Sequence, residues 1–291
     1  MHDLEHKSPL IAPERLAAYL GDEAWRIVDT RHDLGDPGRG RALFEAARLP
    51  GATFLSIEAD LSARPNGRNG RHPWPTAEAL AATLGRAGIC REHIVVVYDQ
   101  GNAMFAGRLW GLLRWLGHET VYVLDGGFEA WLAAALPLET GPVRQLAAGQ
   151  RYRYPDDPER DRRFLATAEE ILARLGDPNM LIVDARAPER YRGEQEPIDP
   201  VAGHIPSAVN WPFSANLRNG RFKPAAELAA QWRSVLAGRD PTAVVHQCGS
   251  GVSALANMLA MEHAGLTGSR LYPGSWSEWC ADPRRPIACG G

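Results

Sequence analysis

The sequence predicts an α/β protein made of two similar domains, each a parallel sheet flanked by helices on both faces. An internal repeat is the first reason. Val96 to Trp131 can be laid on Val244 to Trp279 without a gap, which pairs Val96 with Val244, Gly101 with Gly249, Ala106 with Ala254, Gly117 with Gly265, Gly126 with Gly274 and Trp131 with Trp279. Upstream, Ile27-Val28-Asp29-Thr30-Arg31 matches Ile182-Val183-Asp184-Ala185-Arg186, and Pro50-Gly51-Ala52 matches Pro206-Ser207-Ala208, so the two halves share one fold. The apolar runs are the second reason: Val95-Val96-Val97 and Val244-Val245 are continuous rather than alternating, as in strands covered on both faces, and they are followed by helical spacing. Length is the third, since 291 residues exceed one comfortable core.

Each half is expected to run in the same order. A short β-branched strand ends in Asp29 or Asp184; a loop, a second short strand and a helix follow; then come the apolar strand, another helix and a final short strand. The first domain is placed at 1–140 and the second at 164–291. Between them, 141–163 is rich in Arg, Asp, Pro and Gly, with Tyr154-Pro155-Asp156-Asp157-Pro158 at its centre, and is expected to be a linker.

Composition narrows the function. A chain that is 45% hydrophobic and 23% charged, with net charge −3, carries no basic footprint for nucleic acid or an anionic membrane. No apolar run reaches the ~18 residues of a membrane span, and Met1 to Lys7 lacks the apolar stretch of a secretory signal, so a cytoplasmic location is expected. Four cysteines, Cys90, Cys248, Cys280 and Cys289, make neither a disulfide framework nor a Cys-x-x-Cys site. His204, in Gly203-His204-Ile205-Pro206, has no partner at metal spacing. No metal and no cofactor are expected.

Cys248 stands apart from the other three. It ends the apolar strand Ala243-Val244-Val245 and opens Gly249-Ser250-Gly251-Val252-Ser253, after which Leu255, Met258 and Leu259 resume a helical spacing. Glycines let successive backbone N–H groups turn inward and the helix adds its positive end, a seat that favours a thiolate or a bound anion. In open parallel sheets ligands gather beyond the carboxyl ends of the strands, where this cysteine falls. The gapless alignment puts Gln100 opposite Cys248, with Gly101-Asn102-Ala103-Met104-Phe105 as its loop. One catalytic domain and one that keeps only the fold are therefore expected.

These features together resemble the tandem-rhodanese sulfurtransferases, and among them the 3-mercaptopyruvate sulfurtransferases. The resemblance covers nearly the whole chain. It is carried by Ile182 to Arg186 with Arg190-Tyr191-Arg192-Gly193, by Gly203-His204-Ile205-Pro206-Ser207-Ala208-Val209-Asn210, by the Cys248 loop, by Gly274-Ser275-Trp276-Ser277-Glu278-Trp279, and by Asp125-Gly126-Gly127-Phe128 in the first half. In that family a neutral Cys-Gly-Ser/Thr-Gly-Val loop goes with 3-mercaptopyruvate as donor, and basic residues after the cysteine go with thiosulfate. This chain has the neutral loop.

The resemblance implies roles. Cys248 takes the sulfur of mercaptopyruvate as a persulfide and releases pyruvate, and a thiol such as thioredoxin or a small thiol, or cyanide, removes it. The amides of Gly249, Gly251, Val252, Ser253 and their neighbours hold the anion. Ser250 is either a helix N-cap or, as the family implies, the proton donor of a Ser-His-Asp set whose other members here are His72 and Asp60. Arg190 matches the arginine that holds the substrate carboxylate. A second family arginine, after a Glu-Pro, is replaced: Glu196-Pro197 is followed by Ile198, and Arg71, Arg68 or Arg192 are the candidates to compensate. Arg186 is expected to be structural, pairing with Asp184 or a loop carbonyl. Trp276 and Trp279 are either pocket wall or core.

Two other classes compete. A cysteine phosphatase needs an arginine after five intervening residues, and that place is Ala254. A non-catalytic sulfur-carrier or binding module would not need Cys248 together with Ser250, His72 and Asp60. Within the enzyme class, thiosulfate is the alternative donor.

Overall fold

The computed structural model describes residues 8–143 and 151–291; the first seven residues, and 144–150 of the expected linker, lie outside the described residues. The chain forms two compact units. One comprises Met1–Ala63, Pro75–Asp157 and Asn219–Phe222, and the other Arg64–Trp74, Pro158–Arg218 and Lys223–Gly291. The boundaries expected from sequence cut the chain at one place, whereas here two short segments, one of them carrying His72, are exchanged.

The first unit holds β1 (Leu10–Ile11), β2 (Trp25–Asp29), β3 (Thr53–Phe54), β4 (Ile94–Tyr98) and β5 (Val121–Leu124). They lie in the order β1-β5-β4-β2-β3, every pair parallel. Ile27, Ile94, Val96 and Tyr98 pack with Phe44, Leu124 and Trp131 on one side. Helices Ala77–Arg86 and Met104–Trp115 bury Leu80, Leu84, Leu109 and Leu112. Each such side chain contributes about 1.5–3 kcal/mol. Thr76 starts the first of these helices by accepting the Ala79 N–H at 3.2 Å.

The second unit holds β6 (Leu181–Asp184), β7 (Val209–Asn210), the short β8 (Leu217–Arg218), β10 (Val244–Gln247) and β11 (Arg270–Leu271), whereas β9 (Arg221–Phe222) falls in the Asn219–Phe222 segment of the first unit. Its sheet runs β11-β10-β6-β7, again all parallel, and a parallel bridge of Leu165 to Leu271 stands where the first unit has β1. Val245, Ile182, Ile205, Trp276 and Trp279 share one core. Both tryptophans are fully buried, so they are core rather than pocket wall.

The repeat extends to single hydrogen bonds. Arg31 pairs with Asp29 and lies over the Phe128 ring, and Arg186 pairs with Asp184 and lies over the Trp276 ring. Trp131 Nε1 donates to Pro137 O and Trp279 Nε1 to Pro286 O, both at 2.8 Å. The expected structural role of Arg186 is thereby met.

The gapless matches from Val96/Val244 to Gly101/Gly249 are corrected by strand register, each by one residue. Asp29 pairs with Tyr98 and Asp184 with Gln247, so Tyr98 is the partner of Gln247 and Asp99, not Gln100, occupies the cysteine position. Loop bonds agree: Asp99 O accepts the Phe128 N–H as Cys248 O accepts that of Trp276, and Gln100 O accepts the Glu129 N–H as Gly249 O accepts that of Ser277. The stretch from Asp99 to Phe128 is one residue longer than that from Cys248 to Trp276, and the downstream glycines hid the offset.

Two buried histidines make stability depend on pH. Burial lowers His246, beside Trp232 in β10, to about 3, and lowers His118, held by Tyr152 and His93 O, to about 4. The unfolded chain takes up these protons near pH 6.5 and the folded chain does not. Stability is therefore complete above pH 6.5 and falls by about 1.4 kcal/mol per histidine for each unit below it, until the folded-state values are reached. Urea unfolding of His246→Phe is expected to lose about 2 kcal/mol less than wild type between pH 6.5 and 5. Identical losses would refute the assignment to His246.

Candidate active site

At the end of β10 the chain turns from Gln247 into Cys248, whose side chain is buried. Its N–H donates to Ser275 Oγ at 3.1 Å, and Ser275 is held at φ +53°, a conformation that costs a non-glycine residue about 1–2 kcal/mol. The two loop glycines serve different ends. Gly251 has φ +71°, and a methyl group there would lie 2.2 Å from Pro273 O, so only glycine fits. Gly249 leaves room for arginines: a methyl group there would lie 2.8 Å from Arg71 Nη2 and 3.5 Å from Arg190 Nη1.

Helix Ala254–His263 follows, with Ser253 at its N-cap position. Among the described residues no protein acceptor meets the backbone N–H groups of Gly249, Ser250, Val252 or Ser253. A loop with spare donors at a helix N-terminus holds an anion. The same loop in the first unit is already filled. Asp99, at the cysteine position, accepts the N–H groups of Gly101 at 2.9 Å and Ala103 at 3.2 Å on Oδ1, and those of Phe105 at 2.9 Å and Ala106 at 3.1 Å on Oδ2. Burial pushes the Asp99 carboxyl above its ordinary range, against the pull of these amides. In this chain, then, the loop geometry closes around an anion carried by the residue that ends the strand.

Ser250 is buried and its Oγ lies 2.8 Å from His72 Nδ1. That contact falls within the second unit, because Arg64–Trp74 belongs to it. The segment is anchored where Arg71 N–H donates to Ser277 Oγ at 3.1 Å, on the turn of helix Ser275–Trp279. Asp60 belongs to the first unit, where its Oδ2 accepts the Ser56 N–H at 2.9 Å.

Arg190 donates through Nε and Nη2 to Glu196, at 3.1 and 2.6 Å, and through Nη2 to Asp199 at 3.2 Å. Arg71 Nη1 pairs with the other oxygen of Asp199. Burial works to raise the Glu196 carboxyl, but the Arg190 bond and the Asp199 and Ile198 amides outweigh it and hold the group below its usual range. Sequence gave no local sign of Asp199 or of Ser275. Asp199 follows a Pro-Ile pair in a loop, and only the fold brings two arginines to it.

The remaining thiols lie elsewhere. Burial pushes Cys280 up to about 11, Cys90 is raised chiefly by burial beside Glu92 and His93, and Cys289 is exposed against Gly193 and Gly203. No group of three or more His, Cys, Asp and Glu side chains able to hold a metal occurs among the described residues. Among the described residues no helix is long and apolar enough to cross a membrane.

Comparison with known proteins gives one answer from three directions. The rhodanese-like domain model matches residues 12–134 and 167–282. A Pseudomonas aeruginosa protein named "Probable 3-mercaptopyruvate sulfurtransferase" is 44% identical over 284 residues, covering 97% of this chain and 98% of its own. A Mycobacterium tuberculosis protein named "Putative thiosulfate sulfurtransferase SseB" is 39% identical with 97% of each chain covered. The structure of 3-mercaptopyruvate sulfurtransferase from Leishmania major superposes with TM-score 0.84 at 28% identity, over 98% of this chain and 77% of that one. Two matched domains on two parallel sheets, with relatives alike along their whole length, place the chain in the rhodanese family, as a tandem of rhodanese-like domains and a sulfurtransferase.

Proposed function

We propose that the enzyme moves sulfur from 3-mercaptopyruvate to a thiol or cyanide acceptor through a persulfide on Cys248. The observation that carries this is the Asp99 loop, where an anion at the cysteine position is gripped by four amides of the same chain. In the first step the Cys248 thiolate attacks the donor's thiol sulfur. A sulfur–sulfur bond forms, the sulfur–C3 bond breaks, and its electron pair stays on C3 as the enolate of pyruvate. C3 takes a proton, the proton of the donor thiol returns to the relay, and Cys248 is left as a persulfide anion on the loop amides. In the second step the acceptor, thioredoxin, a small thiol or cyanide, attacks the outer sulfur and the Cys248 thiolate leaves.

Ser250 and His72 supply the proton for C3, as a hydroxyl hydrogen-bonded to an imidazole can. Asp60 is assigned to orient His72 on the family resemblance. The loop itself carries no cation, and the two nearby guanidinium groups face two carboxylates, so the site offers less to a dianion such as thiosulfate than to a monocarboxylate. Thiosulfate is the second reading, favoured by the name of the Mycobacterium tuberculosis relative.

Steady-state rates with each donor, cyanide being the acceptor, test the proposal. The larger kcat/KM is expected with mercaptopyruvate, and a clear preference for thiosulfate would reverse it. His72→Ala is expected to lower kcat with mercaptopyruvate about 10²-fold or more, the ordinary weight of a general acid. With thiosulfate the loss is smaller, because departing sulfite needs no proton on carbon. Equal losses with both donors would remove the relay.

A further inference from the structure

We infer that Arg71 is the second guanidinium that binds the donor's carboxylate, and that Asp199 and Glu196 lock Arg71 and Arg190 into one preformed clamp over Gly249. The inference rests on mercaptopyruvate being the donor and names what recognises it. Three observations on this chain lead there.

The first is what each arginine has left over. Arg71 spends Nη1 on Asp199, and Arg190 spends Nε and Nη2 on Glu196 and Asp199. Among the described residues Arg71 Nη2 and Arg190 Nη1 have no protein acceptor, and these are the nitrogens nearest Gly249, at 2.8 and 3.5 Å from a methyl group placed there. A planar carboxylate with two oxygens suits two spare N–H donors from neighbouring guanidinium groups. The missing side chain at Gly249, directly after the nucleophile, leaves the space.

The second is preorganisation. Asp199 bridges the two arginines with its two oxygens, and both its side chain and that of Glu196 are 3% exposed. The backbone N–H groups of Ile198 and Asp199 donate to Glu196 Oε1 at 3.1 and 3.0 Å, which fixes the acidic loop that holds the pair. Two long flexible side chains are thus oriented before the substrate arrives, which lowers the entropic cost of binding.

The third is elimination. Ile198, at the place where the resembling family puts its second arginine, is 46% exposed. Arg192 is engaged with Glu194 at 2.8 Å through two nitrogens, and Arg68 is exposed. Of the three candidates only Arg71 reaches the cysteine loop. The second cation has moved from the 196–199 loop to the segment that carries His72, so substrate recognition and the proton relay share one stretch of chain.

The test is kinetic, with a rescue. Arg71→Gln is expected to raise KM for mercaptopyruvate at least about 10-fold, with kcat within about 3-fold of wild type, and to weaken competitive inhibition by pyruvate in parallel. Adding Ile198→Arg to that variant returns most of the lost KM, while Arg192→Ala leaves both constants as in wild type. If Arg71→Gln proves unable to fold, Arg71→Lys, which keeps the counter-charge for Asp199 but loses the fork, carries the same prediction. An unchanged KM and unchanged pyruvate inhibition in an enzyme that does use mercaptopyruvate would overturn the clamp alone. Wild type that does not use mercaptopyruvate would overturn the donor assignment and the clamp with it.

Discussion

Cys248→Ser is expected to abolish sulfur uptake. Intact-mass measurement after incubation with donor should show one added sulfur atom on the wild type and none on the variant, and turnover should fall by a factor on the order of 10⁴ or more, as when a nucleophile is removed. The reason is not that other thiols are absent. Cys280 is held protonated, with burial pushing it up to about 11, and a protonated thiol does not attack. Cys90 is raised as well, and Cys289 lies exposed beside Gly193 with no donor-rich loop around it. Only at Cys248 do a strand end, spare backbone N–H groups and the following helix converge. Serine fits the same space, so the fold should persist, and an unchanged circular dichroism spectrum checks that. A sulfur atom still gained by Cys248→Ser would move the persulfide to another cysteine and end the account of this loop.

How far the sequence reached, and where it stopped, follows from what carries register. Continuous valine runs announced parallel strands buried on both faces, and the glycines around Cys248 announced a curled loop before a helix; both are local, and both stand in the structure. The same runs could not fix a match between the halves. When both faces of a strand are buried, sliding Val95-Val96-Val97 by one place along Val244-Val245 changes no apolar pattern, so the gapless alignment chose Gln100 where hydrogen bonding chooses Asp99. Ser250 and His72 were named from a resemblance, and their 2.8 Å contact depends on Arg64–Trp74 folding with the second unit, which no composition shift marks. Asp199 was missed for a related reason. A carboxylate that organises two arginines 9 and 128 positions away is visible only once the chain is folded.

Asp99→Ala is expected to be among the most destabilising single changes in the first unit. It removes one acceptor group from four N–H groups, those of Gly101, Ala103, Phe105 and Ala106, of which the last two belong to the first turn of helix Met104–Trp115. The helix cannot satisfy these donors itself, and each left without a partner in a buried place costs about 1–3 kcal/mol. Water will enter and recover part of that, so a net loss of about 3–5 kcal/mol in urea unfolding is expected, with Asp99→Asn losing less because one oxygen remains. Added sulfate or thiosulfate should raise the unfolding midpoint of Asp99→Ala more than that of wild type, since an anion that enters the emptied loop binds only the folded state. A variant as stable as wild type and indifferent to anions would mean that the amide ring has no preference for negative charge. The same outcome would strip the second unit's loop of its closest internal precedent, because the bonds donated by the Phe128 N–H to Asp99 O and by the Trp276 N–H to Cys248 O show both residues leaving their strands at one equivalent point. Where the first unit supplies a carboxylate of its own, the second offers amides and a cysteine, and the negative charge is that of its thiolate, carried over to the persulfide.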